Sequence, residues 1–224
     1  MTPSQLSLDE IDSALVAATP RLTREESDLA MSVYRLLAKG EPVGIDAAAT
    51  AAGISSERAQ EILKSWPAVF FDKEDRVAGF WGLALNEMPH RLLRAGVDLY
   101  AWCAWDPLFL ARIVGALDVA TDDPVSGDTI TYRIAADGSV THLSHPDTAL
   151  SFLRPDRMWD DEVMATFCHY VLQFASPESA HIWTAEHPDT FTISFSDAKD
   201  LARSHFWRIA APATSARADT DHDR

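Results

Sequence analysis

The sequence predicts an α+β protein, with an N-terminal winged-helix-like module packed on a mixed or antiparallel sheet core with helices. Helical periodicity dominates the chain up to residue 65, and a β-hairpin pattern follows it directly. Alternating strand patterns and further helices share the second half. We therefore divide the chain into the module (residues 1–88), the α+β core (89–211) and a tail (212–224). The tail is small, polar and charged, so we expect it to be disordered.

Helices form the first part of the module. A capping box from Thr23 to Glu26 begins the strongest of them, and its apolar stripe continues until Gly40 ends the helix. A weaker apolar pattern precedes this helix, and two shorter helices follow it, separated by a turn at Gly53. The predicted helices span residues 6–17, 23–40, 45–52 and 56–65.

A β-hairpin completes the module after Pro67. The segments "AVFFD" and "VAGFWGLAL" have strand patterns and are joined by the turn "KEDR". Three helices followed by a hairpin are typical of a winged helix. Its recognition-helix candidate, "SSERAQEILKSW", carries one Arg and one Lys against two Glu, whereas DNA-reading helices need cations to neutralise phosphates. We therefore expect this module to pack on the core and not to bind nucleic acid.

The second half alternates strands with helices. A strand is predicted at residues 90–97, with a helix beginning near Asp98, and "DTITYRIAADGSVTHLS" reads as two strands around an Asp-Gly turn. The segment "MATFCHYVLQFAS" is predicted to be a central strand. A helix follows in "SPESAHIWTAEHP", with Ser176 as its N-cap and a proline in its first turn. The segment "DTFTISFSDAKDLARSHFWRIA" reads as a last strand and a closing helix.

Composition excludes several classes of protein. The formal net charge is -15, and so acidic a surface repels phosphate backbones and anionic lipid headgroups. The start of the chain lacks the basic and apolar run of a signal peptide, and no apolar stretch approaches the ~20 residues of a membrane helix. We expect a cytoplasmic protein with no nucleic-acid or membrane partner. The two cysteines lack CxxC spacing, so free thiols are expected.

The first cysteine lies in "LYAWCAWDPLFL". On a helix, Cys103 and Asp106 would share a face because three positions separate them. Pro107 opposes a continuous helix, since it removes an amide donor and biases Asp106 away from helical angles. Alternatively, Asp106 caps a new helix that starts at Pro107. Backbone amides would then hold its carboxylate ionised, which suits a base better than an acid.

The second cysteine, Cys168, lies in the predicted central strand. A buried cysteine in such a place usually acts as a small hydrophobe, and the same holds for Cys103. Adjacent strand residues face opposite sides, so Cys168 and His169 are not expected to form a zinc site. Neither cysteine by itself indicates a functional site.

Both cysteine segments resemble those of one enzyme family. "LYAWCAWDPLFL" is similar to the active-site segment of organomercurial lyases (alkylmercury lyases), and "TFCHYVLQFAS" followed by "AHIWTAEHP" resembles their second cysteine segment. "LLAKGEPV" and "FFDKEDRVAGFWGLALNE" are similar to the family's winged-helix half. The resemblance runs from about residue 29 to residue 206.

The resemblance implies a site and an activity. Cys103 and Cys168 would be paired mercury-binding thiols and Asp106 the carboxyl group that handles the proton, so that the enzyme cleaves carbon–mercury bonds by protonolysis. The chain departs from the family pattern in two ways. It lacks the additional cysteines that members often carry, with His169 where one would follow the second segment, and it has Pro107 where members generally have another residue.

The chemistry agrees with these residue types. Thiolates are soft ligands suited to a soft mercury ion, and an acid that protonates carbon at neutral pH needs an apolar pocket that raises its pKa. No cofactor is expected, although small thiols would be needed for turnover and a thiol-bearing acceptor such as a mercuric reductase would take the Hg(II). Two rival hypotheses are a non-catalytic thiol metal binder (a mercury sensor or carrier) and a winged-helix transcription regulator. The residues expected to supply the pocket are Trp102, Trp105, Phe109 and Phe167.

Overall fold

The computed structural model describes residues 7–19, 21–154 and 166–210. The predicted disordered tail lies outside the described residues. Within the part of the chain that is described, no helix combines the length and apolar character needed to cross a membrane.

The N-terminal module has the predicted helices and hairpin, but residues 77–85, predicted as one strand, form two antiparallel strands joined by a turn at Trp81–Gly82. Thr23 and Glu26 form the expected capping box, in which the Thr23 amide donates to the Glu26 carboxylate at 2.7 Å and the Glu26 amide donates to the Thr23 hydroxyl at 3.3 Å. This exchange satisfies two amides that have no partner inside the helix. The module contains helices α1 (Leu8–Ala18), α2 (Arg24–Leu37), α3 (Ile45–Ala52) and α4 (Ser56–Ser65), then strands β1 (Val69–Phe71), β2 (Val77–Phe80) and β3 (Leu83–Ala84).

The core carries the remaining strands and helices. The Asp-Gly turn lies between β7 and β8 as predicted, and Ser176 caps the expected helix. Strands β6 and β9 were not predicted. The elements are β4 (His90–Arg94), β5 (Val97–Ala101), α5 (Asp106–Val114), β6 (Leu117–Asp122), β7 (Thr129–Ile134), β8 (Val140–Thr141), β9 (Ala149–Leu153), β10 (Gln173–Phe174), α6 (Pro177–Glu186), β11 (Thr190–Ser194) and α7 (Phe195–Ala210).

One sheet joins the module to the core. Its eight strands follow the order β1-β2-β3-β5-β4-β6-β7-β8, and every described strand pair is antiparallel. The connection is the pairing of β3 with β5, in which Leu83 lies opposite Ala101. A second sheet has the order β10-β9-β11. The wing of the module is therefore continuous with the sheet that leads into the Cys103 segment.

Helix α5 lies in the centre of the hydrophobic core. All of its residues except Arg112 are buried, and it packs between α2 and α7. Helix α7 packs against the module: the hydroxyl of Ser27 on α2 donates to the carbonyl of Ile209 on α7 at 2.6 Å. A helix that is apolar on every side must be covered on every side, which explains this central position.

The prediction of a helix near Asp98 was wrong. The chain forms a hairpin there, with β4 and β5 joined by the two-residue turn Ala95–Gly96, and the helix begins only at Asp106. Both turn residues have positive φ, 49° at Ala95 and 85° at Gly96. Such a turn matches the twist of a hairpin, but alanine at its first position gives a weaker sequence signal than asparagine or aspartate.

The prediction of a central strand through Cys168 was also wrong. Residues Cys168–Tyr170 form one turn of 3-10 helix, and the strand is limited to Gln173–Phe174. The Ser151 hydroxyl on β9 donates to the Tyr170 carbonyl at 2.7 Å and accepts from the Leu172 amide at 3.1 Å. Aromatic and β-branched residues favour any half-buried surface, so their enrichment did not distinguish a strand from a buried turn.

Candidate active site

Cys103 lies in the turn between β5 and α5. Its neighbours fix this turn on both sides: the Trp102 amide donates to the Gly82 carbonyl, and the Ala104 amide donates to the Val171 carbonyl, each at 3.0 Å. The second bond ties the Cys103 turn directly to the segment that follows Cys168. Cys103 is completely buried.

Cys168 begins the 3-10 turn on the opposite side of the site. The Val171 amide closes the turn by donating to the Cys168 carbonyl at 3.2 Å, and Ser151 holds its end. The Cys168 side chain is buried, whereas the adjacent His169 is exposed. The prediction that Cys168 and His169 do not act together agrees with this placement, although its reason, opposite faces of a strand, does not apply.

The two thiols and one carboxyl group meet. One ligand atom each from Cys103, Asp106 and Cys168 lies within 4.8 Å of the others, and all three residues are buried. Two metal–sulfur bonds of roughly 2.3 Å, the zinc–thiolate length, span a comparable gap. Within the described ranges this is the one group of three or more cysteine, histidine or acidic side chains close enough to hold a metal ion.

Asp106 is the first residue of α5, and Pro107 follows it in the first turn. Proline is well accommodated there because its missing amide would have no partner inside the helix. The carboxylate points back along the chain and accepts the Cys103 amide at 2.8 Å. The residue before the helix is Trp105, so the hypothesis that Asp106 caps a helix starting at Pro107 was wrong.

Burial controls the acidity of Asp106. Removal from water raises its pKa from 3.8 to about 7, although the hydrogen bonds from the Cys103 amide and the Cys103 thiol act in the opposite direction. The expectation of a carboxylate held ionised by amides therefore does not apply, because desolvation outweighs those bonds. A carboxyl group with this pKa exchanges a proton readily near neutrality.

Burial also raises the pKa of the Cys103 thiol well above its ordinary value. A hydrogen bond with Cys168 and the negative charge of Asp106 act in the same direction. The thiol is therefore protonated at neutral pH, and a metal that binds its sulfur must displace that proton.

The four predicted pocket residues are all buried. Trp102 packs edge-on against Phe70, with ring centroids 5.2 Å apart. Trp105 donates its indole N–H to the Ala198 carbonyl of α7 at 2.9 Å, so its polar edge is used in packing. Phe109 contacts the His205 ring and Phe167 contacts the Phe152 ring, with centroids 4.8 Å and 5.9 Å apart. Contact of these side chains with a substrate stays a prediction.

Two tyrosines near the site were not found by sequence reasoning. Burial raises the pKa of Tyr34, and the charge of Asp106 adds to this effect. Burial likewise raises the pKa of Tyr132, with Cys103 as the second cause. The Tyr132 hydroxyl has no hydrogen-bond partner among the described residues. Nothing in the sequence marked them, because each occupies an ordinary apolar position of a helix or strand.

Two family models match the chain. The family model described as alkylmercury lyase matches residues 83–207, and the model described as the helix-turn-helix domain of alkylmercury lyase matches residues 14–81.

Curated relatives and a solved structure are also similar to the chain. The alkylmercury lyase of Staphylococcus epidermidis is 33% identical over 76% of this chain and 78% of its own length. That of Pseudomonas putida is 34% identical over 73% of this chain and 76% of its own length. A crystal structure of the mercury-bound form of MerB2 matches 90% of this chain and 98% of its own, with a TM-score of 0.71 at 20% identity, and so agrees in fold. Family models covering both halves and relatives above 30% identity place this chain in the alkylmercury lyase family.

Proposed function

We propose that this protein is an organomercurial lyase that cleaves carbon–mercury bonds by protonolysis, releasing a hydrocarbon and leaving Hg(II). The observation that carries the proposal is the meeting of Cys103, Cys168 and Asp106 within 4.8 Å in a buried site. Capture of an organomercury cation needs soft sulfur ligands, and cleavage needs a proton for carbon. These three side chains supply both.

The cysteines capture the substrate. Mercury bonds to one thiol sulfur and displaces its proton, and the second sulfur then bonds to the same ion. Donation from two thiolates places electron density on mercury, which makes the attached carbon more basic. The buried position of both sulfurs strengthens these interactions because water does not compete for the metal.

Asp106 transfers the proton. It accepts the proton that the second thiol loses and delivers it to the carbon, while the electron pair of the carbon–mercury bond stays on that carbon. A pKa of about 7 suits both steps, since the group is neither a strong nor a very weak acid at neutral pH. The amide of Cys103 stabilises the carboxylate before the first transfer and after the second.

The reaction balances without a redox step. One carbon–mercury bond and two sulfur–hydrogen bonds break, and one carbon–hydrogen bond and two sulfur–mercury bonds form. The proton displaced from the first thiol leaves with the anionic ligand that the substrate's mercury gives up, the proton of the second thiol reaches carbon through Asp106, and mercury remains Hg(II). No cofactor is required by this balance. Release of Hg(II) from the two sulfurs requires competing thiols, so we infer that small thiols support turnover and that a thiol-bearing acceptor such as a mercuric reductase takes the ion.

We also infer where the protein works and what it does not bind. The small thiols that release Hg(II) are abundant in the reducing cytoplasm, which is the proposed location. Duplex DNA is not an expected partner, because the net charge of -15 opposes phosphate contacts.

Benzene release tests the proposal. The purified protein is incubated with phenylmercury and excess small thiol, and benzene is measured by gas chromatography. Catalytic benzene formation is expected, with none above background for Cys168→Ala. A sensor or carrier would retain Hg(II) and leave phenylmercury intact, and a regulator would bind duplex DNA with strong salt dependence. Either of these results without benzene would refute the lyase assignment.

A further inference from the structure

The turn between β2 and β3 lies against the candidate site. It consists of Trp81 and Gly82, flanked by the paired residues Phe80 and Leu83. Both turn residues have positive φ, 35° and 95°. A tight turn of this kind accepts glycine at its second position without strain.

Gly82 is packed directly against the carboxyl group of Asp106. A Cβ added at Gly82 would lie 2.7 Å from the Asp106 Cγ and Oδ1 atoms and 3.0 Å from Oδ2. Non-bonded carbon atoms normally stay about 3.5–4.0 Å apart. Any side chain at this position would therefore displace the carboxyl group, the turn or both.

Hydrogen bonds from separate parts of the fold hold the turn in place. The Tyr34 hydroxyl, fully buried on α2, donates to the Trp81 carbonyl at 2.8 Å. The Trp102 amide donates to the Gly82 carbonyl at 3.0 Å, and the Trp81 indole donates to the Pro67 carbonyl at 2.9 Å. The turn is thus a fixed surface and not a loop that could yield to the carboxyl group.

From this packing we propose that the Trp81–Gly82 turn, fixed by Tyr34, positions the Asp106 carboxyl group for proton transfer. The turn contacts one side of the carboxyl group, and the Cys103 amide bonds to Oδ2. Between them, the group is confined to an orientation near both sulfurs. Gly82 is a positioning residue that acts through Asp106, and its role rests on the proposed lyase function.

The chain contains a matched control. The Ala95–Gly96 turn between β4 and β5 also has two residues, both with positive φ. A Cβ at Gly96 would meet no atom within 4 Å. Alanine at Gly96 therefore introduces the same backbone strain as alanine at Gly82 without affecting a carboxyl group.

The experiment compares Gly82→Ala with Gly96→Ala and the wild-type protein. It measures kcat and KM for benzene release from phenylmercury, and Hg(II) binding through the near-ultraviolet thiolate-to-mercury absorbance. Misplacing a catalytic group by about 1 Å can cost up to ~100-fold in rate. We expect kcat of Gly82→Ala to fall about tenfold or more below that of Gly96→Ala, with KM and Hg(II) absorbance unchanged.

A second variant covers the case in which Gly82→Ala does not fold. Tyr34→Phe keeps the packed ring and removes only the bond to the Trp81 carbonyl, and its kcat should fall roughly threefold or more at unchanged Hg(II) binding. Gly82→Ala with a kcat within twofold of the Gly96→Ala value would overturn the positioning role. If Gly82→Ala is unfolded, an unchanged kcat in Tyr34→Phe would overturn the positioning role instead. A wild-type protein that releases no benzene would instead refute the lyase function and, with it, this inference.

Discussion

Replacing Asp106 by asparagine should stabilise the folded protein at alkaline pH while abolishing proton transfer. Asparagine has nearly the shape of aspartate and its side-chain oxygen can still accept the Cys103 amide. It carries no charge at any pH. The variant therefore removes the cost of burying a carboxylate and leaves the packing in place.

The size of the effect follows from the pKa of Asp106. Burial raises this pKa from 3.8 to about 7, so the folded protein holds the proton more tightly than the unfolded chain does. The stability contributed by this proton is present in full below pH 3.8 and is lost as the pH rises to about 7. At ~1.4 kcal/mol per pH unit, the loss amounts to roughly 4 kcal/mol, of which about 3 kcal/mol falls between pH 5 and pH 8.

Urea unfolding at pH values from 5 to 8 measures this effect. The free energy of unfolding of Asp106→Asn, minus that of the wild-type protein, should increase by about 3 kcal/mol over this range and become constant above it. Taking the difference removes the contributions of other titrating groups. The exposed substitution Asp147→Asn is the control and should give a flat difference.

Three results would contradict the reasoning. A difference that does not change with pH would mean that Asp106 ionises as easily in the folded protein as in the unfolded chain. A difference that falls with rising pH would mean that hydrogen bonds, and not desolvation, determine its pKa. Asp106→Asn that still releases benzene at the wild-type rate would exclude Asp106 as the proton donor.

Three further predictions concern single side chains. Cys103→Ala and Cys168→Ala should each reduce benzene release to background, because a single sulfur cannot donate to mercury as a pair does. The control His169→Ala changes an exposed side chain and should retain most of the activity. Normal turnover by either cysteine variant would exclude the paired-thiol site. Pro107→Thr should keep kcat within about threefold of the wild-type value, since an amide in the first turn of a helix adds no intrahelical hydrogen bond. A large decrease in kcat would show that the proline positions Asp106. Tyr132→Phe should leave the free energy of unfolding in urea unchanged or raise it by up to ~1 kcal/mol, because it removes a buried hydroxyl that has no partner among the described residues. A decrease of more than ~1 kcal/mol would show that this hydroxyl is hydrogen-bonded in solution.

Elements defined by local hydrogen bonds were predictable from the sequence. The capping box of Thr23 and Glu26 and the N-cap at Ser176 involve partners within three positions along the chain. Such bonds form wherever the residue types and spacing occur, so short sequence patterns identify them. The turn at Ala95–Gly96 lacked such a pattern, and for that reason the second strand of its hairpin was predicted as a helix.

The residue types of the candidate site were also recognisable, but their arrangement was not. The segment around Cys103 and Asp106 suggested a thiol and an acid in one place through its resemblance to a known family. Their actual relation is a hydrogen bond from the Cys103 amide across the start of a helix and not a shared helical face.

The sequence by itself determined the helices of the N-terminal module, the acidic net charge and the identity of the two thiols and the carboxyl group. Only the tertiary structure decided that Cys168 lies on a 3-10 turn beside Cys103, that Asp106 is buried enough for its pKa to reach about 7, and that Gly82 packs against it. Caps and turns depend on neighbours along the chain, which the sequence displays. Burial and the meeting of distant segments depend on how every element packs, and the acidity of a carboxyl group depends on all the atoms that replace water around it.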